Sequence, residues 1–171
     1  LRGDSCSLAL HGIVGRSVFG PCRARSRGVK APFVYTMRVR FRDTDMQGHV
    51  YFGNYFVFCD EALGAYMRAA GTPWQKMVER GTDMYYVNAT CDYSGSARFE
   101  EDVHIETRIF RIGSSSFTSE FVIRNDQRET LAKASVTSVC VDPKTREKVS
   151  VPDSFRAAIG AFEEGRRESL T

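Results

Sequence analysis

The chain has 171 residues, 42% hydrophobic and 12% aromatic, which suits one domain with a real core and contains no apolar run long enough for a transmembrane helix or a membrane partner. Its net charge of +3 is concentrated at one end. Residues 1–32 carry Arg2, Arg16, Arg23, Arg25, Arg27 and Lys30 against Asp4 alone, so the rest is mildly acidic and no nucleic-acid partner is expected.

Residues 1–32 show no sustained period and read as a disordered basic tail or a transit-like segment, with the first Met at Met37. A cytoplasmic location is the default, or an organelle (plastid or mitochondrion) if that segment is a transit peptide. Phe33, Tyr35, Met37, Val39 and Phe41 then alternate with polar residues through Arg42, which predicts a half-buried strand. A Gly-containing turn covers residues 43–53. From Asn54 to Ala70, Tyr55, Cys59, Ala62, Tyr66 and Ala69 recur every three or four positions. That spacing predicts a long, mostly enclosed helix, stopped by Gly71-Thr72-Pro73.

Trp74 to Arg80 suits a short helical turn. Four strands follow: Met84 to Tyr93, a stretch with Val103, Ile105, Thr107 and Ile109 on one face, one marked by Phe117, Phe121 and Ile123, and Leu131 to Val141. The last has small residues on one face, which lets a helix approach closely. Phe155, Ala158, Ile159 and Phe162 predict a terminal helix. Short turns between consecutive strands imply an antiparallel α+β layer arrangement over residues 33–165, with 166–171 as a tail.

Five widely spaced cysteines (Cys6, Cys22, Cys59, Cys91, Cys140) lack C-x-x-C spacing, and the only histidines are His11, His49 and His104. Neither a disulfide framework nor a metal centre is expected. The turn is the chemically suggestive segment. Asp45 stands just before a helix N-terminus, where backbone N–H groups lack helical partners. That suits chemistry in which a carbonyl oxygen gains negative charge, and equally suits helix capping. Asp43, two residues earlier, is expected to brace the turn. His49 has the chemistry to orient water or protonate a leaving group, and equally to bond backbone. Tyr51 and Tyr55 are candidates to line a pocket, and Asn54 to cap the helix.

Several segments agree in register with a known family: Phe41-Arg42-Asp43-Thr44-Asp45, Gly48-His49-Val50-Tyr51, Asn54-Tyr55, Asp60-Glu61-Ala62, Tyr93 with Ala97-Arg98-Phe99, and Val139-Cys140-Val141-Asp142 followed by Val151-Pro152. Over residues 34–160 the chain resembles the hotdog-fold acyl-CoA thioesterases of the 4-hydroxybenzoyl-CoA thioesterase type. The resemblance implies a curved antiparallel sheet of about five strands wrapped around one long helix, with a C-terminal helix. It implies subunits paired edge to edge as a homodimer or homotetramer, with active sites at their interface. Asp45 would be nucleophile or general base and the Phe52 N–H the oxyanion donor, with His49 beside them. Tyr51, Asn54 and Tyr55 would border the substrate, and Glu61 is the runner-up base. No metal or dissociable cofactor is implied. The substrate would be an acyl-CoA or acyl-carrier-protein thioester. Residues 113–116 lack the family's basic cluster for CoA phosphates, which leaves that contact to Arg111 or Arg98. A hotdog hydratase or dehydratase and a non-catalytic acyl-thioester-binding module are the alternatives.

Overall fold

A computed structural model describes residues 32–168 of the chain. Five strands form one antiparallel sheet: β1 (Phe33–Arg38), β2 (Asp83–Tyr93), β3 (Asp102–Ile112), β4 (Ser116–Arg124) and β5 (Thr130–Val141). Their spatial order is β1-β3-β4-β5-β2, so β1 and β2 are the edges. The long helix α1 (Asn54–Ala69) packs on one face, a short α2 (Trp74–Glu79) follows it, and α3 (Asp153–Glu168) closes the chain. The expected α+β arrangement is therefore present. The expected tail over 1–32 lies outside the described residues, except for Pro32. Among the described residues, no helix is long and apolar enough to cross a membrane.

The alternation read from the sequence is the packing observed. Val103, Ile105, Thr107 and Ile109 of β3, and Phe117, Ser119, Phe121 and Ile123 of β4, are buried. So is the small-residue face of β5, from Ala132 and Ala134 to Cys140. Tyr55, Phe58, Cys59, Ala62, Leu63, Tyr66 and Met67 of α1 bury against these strands. Each large apolar side chain so enclosed contributes about 1.5–3 kcal/mol relative to exposure. Tertiary packing therefore stabilises this helix far more than its own propensity does. Gly71, at φ +74°, ends it, with Gly71 N–H donating to the Arg68 carbonyl and Thr72 N–H to that of Met67. Helix α3 covers one end of the core. Phe155 meets Phe117 at 5.0 Å, Phe162 meets Tyr66 at 5.2 Å, and the Tyr66 hydroxyl donates to Glu163 Oε1 at 2.6 Å.

Three expectations are corrected. β1 ends at Arg38, not Arg42, because the Arg40 N–H turns from the sheet to the Asp43 carboxylate at 2.9 Å and residues 41–43 coil into one 3₁₀ turn. Phe41 consequently points outward, 78% exposed, against Phe99. Asn54 is not the helix cap. Gly53 holds that position in helical conformation with no side-chain cap. Finally, α3 continues to Glu168, past the expected domain end at 165.

Candidate active site

The turn between β1 and α1 is held by its own backbone. Gly48 N–H donates to the Asp45 carbonyl and Asp45 N–H to that of His49, each at 3.0 Å, while Thr44 and Val50 form a bridge. Gly48 sits at φ +79°, a conformation that side-chain-bearing residues rarely adopt. Val50 N–H reaches the Ala97 carbonyl at 2.8 Å and moors the turn to the segment before β3.

Asp43 is the turn's keystone, as its sequence position suggested. It is 4% exposed and accepts from the Arg40 backbone and from the Arg40 guanidinium, Nε at 3.0 Å. Burial alone would push its carboxyl up. The Arg40 hydrogen bonds and charge outweigh that and hold it below the usual carboxylate range. Its carbonyl accepts from Tyr51 N–H at 3.0 Å and from Asn54 Nδ2 at 2.9 Å. Asn54 thus ties the helix start to the turn.

Asp45 remains partly open, its side chain 28% exposed. Oδ1 accepts from Gln47 N–H at 2.8 Å, and Oδ2 has no hydrogen-bond donor among the described residues. His49 Nδ1 lies 4.0 Å from Oδ1, too far for a hydrogen bond, and 3.2 Å from the Val50 carbonyl. A carbonyl only accepts, so Nδ1 carries the proton in that contact.

Seven residues past Asp45, the peptide joining Tyr51 to Phe52 is fixed by Asn54 N–H donating to the Tyr51 carbonyl at 2.9 Å. The Phe52 N–H on the other side of that peptide has no partner among the described residues. The next peptide is fixed as well, because the Tyr93 hydroxyl of β2 donates to the Phe52 carbonyl at 2.9 Å. The Phe52 ring is 60% exposed and packs on Tyr51 at 4.6 Å. Tyr51 lies so close over Gly53 that a Cβ there would stand 2.8 Å from its ring. Tyr55 lies beneath the site rather than in it. It is 2% exposed, its hydroxyl accepts from Ala97 N–H at 3.2 Å, and its ring meets Tyr93 edge-on.

Along α1 from Phe56 runs an apolar cleft of about 90 Å³. Phe56, Cys59 and Leu63 line it from the helix, and Ala89, Phe121 and Val136 from the sheet. Asp60 and Tyr86 stand at its far side, joined by a hydrogen bond from the Tyr86 hydroxyl to Oδ1. Phe56, Asp60 and Leu63 share one helical stripe, and Phe56 opens it four residues past Phe52.

The other sequence candidates lie elsewhere. Glu61 lines a neighbouring polar cleft, two helical turns from the Phe52 N–H. His104 sits on the outer sheet face between Thr36 and Asp126. Arg98 and Arg111 are exposed. Sequence reasoning gave no role to Tyr86. It counted Tyr93 only as a matching residue, and Asp60 beside Glu61 as a second source of carboxylate. Nothing local marks these three, since their partners stand 26 or more positions away in sequence.

One long helix enclosed by a single antiparallel sheet, with an open turn at the helix start, is the hotdog fold shared by solved thioesterases. The sequence profile of the thioesterase-like superfamily matches residues 39–159, and the chain belongs to that family. A putative esterase of Aquifex aeolicus is 30% identical over 121 residues, 71% of this chain and 92% of the relative. The acyl-CoA thioesterase YbgC of Haemophilus influenzae is 28% identical over 128 residues, 74% of this chain and 93% of its own length. Among solved structures, a gentisyl-coenzyme A thioesterase aligns with a TM-score of 0.66 at 28% identity, over 75% of this chain and 99% of that one.

Proposed function

We propose that this protein hydrolyses acyl-CoA thioesters with compact acyl groups, using Asp45 and the Phe52 N–H. The observation that carries the reading is the unpartnered Phe52 N–H, held by fixed peptides on both sides, in the same turn as a carboxylate with a free oxygen. With the thioester carbonyl oxygen on that N–H, Asp45 attacks the carbonyl carbon or takes a proton from an attacking water. Either route places negative charge on the oxygen, where a preorganised donor stabilises it most. The leaving group departs as CoA thiolate; on the direct route a water then hydrolyses the acyl–Asp45 anhydride, and on either route the acyl group leaves as free acid and the carboxylate is restored. The small apolar cleft, walled by Phe56 and Phe121, favours a ring or a short chain, in keeping with a relative that acts on gentisyl-CoA. His49 Nε2 is free to order the water.

A second copy of the chain completes this reading. Edge strand β2 exposes Tyr85, Tyr86, Val87 and Tyr93, an apolar row on unpaired backbone that edge-to-edge pairing would cover.

Hydrolysis of benzoyl-CoA, followed by a thiol reagent that reports free CoA, tests the reaction. Asp45→Asn is expected to lower kcat roughly a hundred- to ten-thousandfold while the thermal unfolding midpoint stays near that of the parent. Equal rates in the two proteins would remove Asp45 from the mechanism. Hydration of crotonyl-CoA without CoA release would point to a hydratase instead.

A further inference from the structure

Beyond the apolar cleft lies a polar one of about 210 Å³, reached between α1, α2 and the start of β2. The two clefts share Asp60, Leu63 and Tyr86. The polar element of that shared wall is the hydrogen bond from the Tyr86 hydroxyl to Asp60, which joins the middle of α1 to the edge strand. Glu61, Arg68 and Trp74 line the far side. The wall is built by a backbone irregularity. The β2–β5 register shifts between Tyr86 and Asn88 and leaves Val87 bulged. Strand side chains alternate, so Met84 and Tyr86 share the inward face before the bulge. Ala89, Cys91 and Tyr93 share it afterwards. Were Val87 paired regularly and not bulged, Tyr86 and Ala89, three positions apart, would face opposite sides of the strand.

We propose that the Asp60–Tyr86 pair is a partition that sets how far an acyl group can extend along α1, and that the polar cleft behind it is a closed-off extension of the acyl site. The inference rests on the reading that the apolar cleft takes the acyl group. Asp60 lies eight residues from Phe52, about 12 Å along the helix axis. A ring or short chain ends before the partition. A longer chain must displace the hydrogen bond, at a cost in binding, before it reaches Leu63, Met67, Trp74 and Met84 in the second cleft.

The test compares the parent protein, Tyr86→Ala and Tyr86→Phe on the CoA thioesters of benzoate, butanoate, octanoate and dodecanoate. In parallel, calorimetry measures binding of the matching S-alkyl-CoA thioethers, which cannot be hydrolysed. The parent should prefer benzoyl- and butanoyl-CoA. In Tyr86→Ala the kcat/KM ratio of dodecanoyl- to butanoyl-CoA should rise about tenfold or more, and S-dodecyl-CoA should gain affinity relative to S-butyl-CoA by a similar factor. Tyr86→Phe keeps the ring and loses only its anchor. It should move the same way by a smaller factor, and it carries the test should Tyr86→Ala not fold. One length profile common to all three proteins overturns the partition. If the parent hydrolyses no thioester at all, the functional reading fails on its own terms. The thioethers still decide: binding in the parent that does not weaken with length, or weakening that neither variant relieves, overturns the inference.

Discussion

Asp43 and Asp45 stand two positions apart and do opposite work. Asp43 spends its carboxylate on Arg40, and its carbonyl on Tyr51 and Asn54, which leaves nothing to offer a substrate. Asp45 keeps one oxygen free. The Asp43 carboxyl is held below its ordinary value of 3.8. A depressed carboxyl stabilises the folded state above its unfolded pKa and loses that contribution as pH falls through the folded one. Asp43→Asn should therefore cost about 1–3 kcal/mol near neutral pH. The gap to the parent should narrow only below about pH 4, where the parent's own carboxyl takes up a proton. Urea unfolding of both proteins across that range measures it, and a constant gap would disconnect Asp43 from the effect. The division of labour was partly legible beforehand, because the family segment and the helix start already pointed to Asp45. The role of Asn54 was not. A residue of good capping type at a helix start reads as a cap, and only the coordinates reveal a carbonyl 11 positions upstream competing for its amide.

At the level of elements, β2 supplies a tether that the turn before α1 lacks. Tyr93 reaches across from this edge strand to the Phe52 carbonyl, and burial keeps its phenol above the ordinary range, protonated and donating at neutral pH. Tyr93→Phe keeps the ring on Tyr55 and removes only this tether. The expected result is a several-fold lower kcat with KM little changed and about 1 kcal/mol or less of lost stability. Steady-state kinetics beside thermal melts separate this from general loosening, which would raise KM and lower the midpoint together. The strands themselves were readable from alternation, since β3, β4 and β5 bury the faces their patterns predict. The end of β1 was not. Alternation continues to Phe41, but a side-chain carboxylate takes the backbone N–H that the sheet would have used.

For the whole molecule, the two sheet edges are unequal. β1 is six residues long, whereas β2 runs for eleven and exposes tyrosines and a valine. If a second copy pairs along β2, Val87→Glu places like charges on both sides of the joint and should convert a dimer to monomers in light scattering. Thioester hydrolysis should fall with it, because Tyr93 stands on that same edge. A monomeric parent, or a variant that dimerises as well as the parent, would remove this pairing.

The Val87 bulge also bears on how such a chain changes by descent. One residue decides which way every side chain after it faces. Drawing Val87 into regular pairing would leave Met84 and Tyr86 in place while turning Ala89, Cys91 and Tyr93 outward, stripping the Phe52 carbonyl of its tether without altering a residue of the turn before α1, whereas deleting Val87 would remove the bulge and keep the alternation. The Asp60 partner Tyr86 and the Phe52 tether Tyr93 are thus carried by two halves of one strand that the bulge holds in phase. A lineage is free to vary Tyr86 or to lose Val87 with its bulge, whereas flattening the bulge with all its residues kept would put the second half of the strand out of phase.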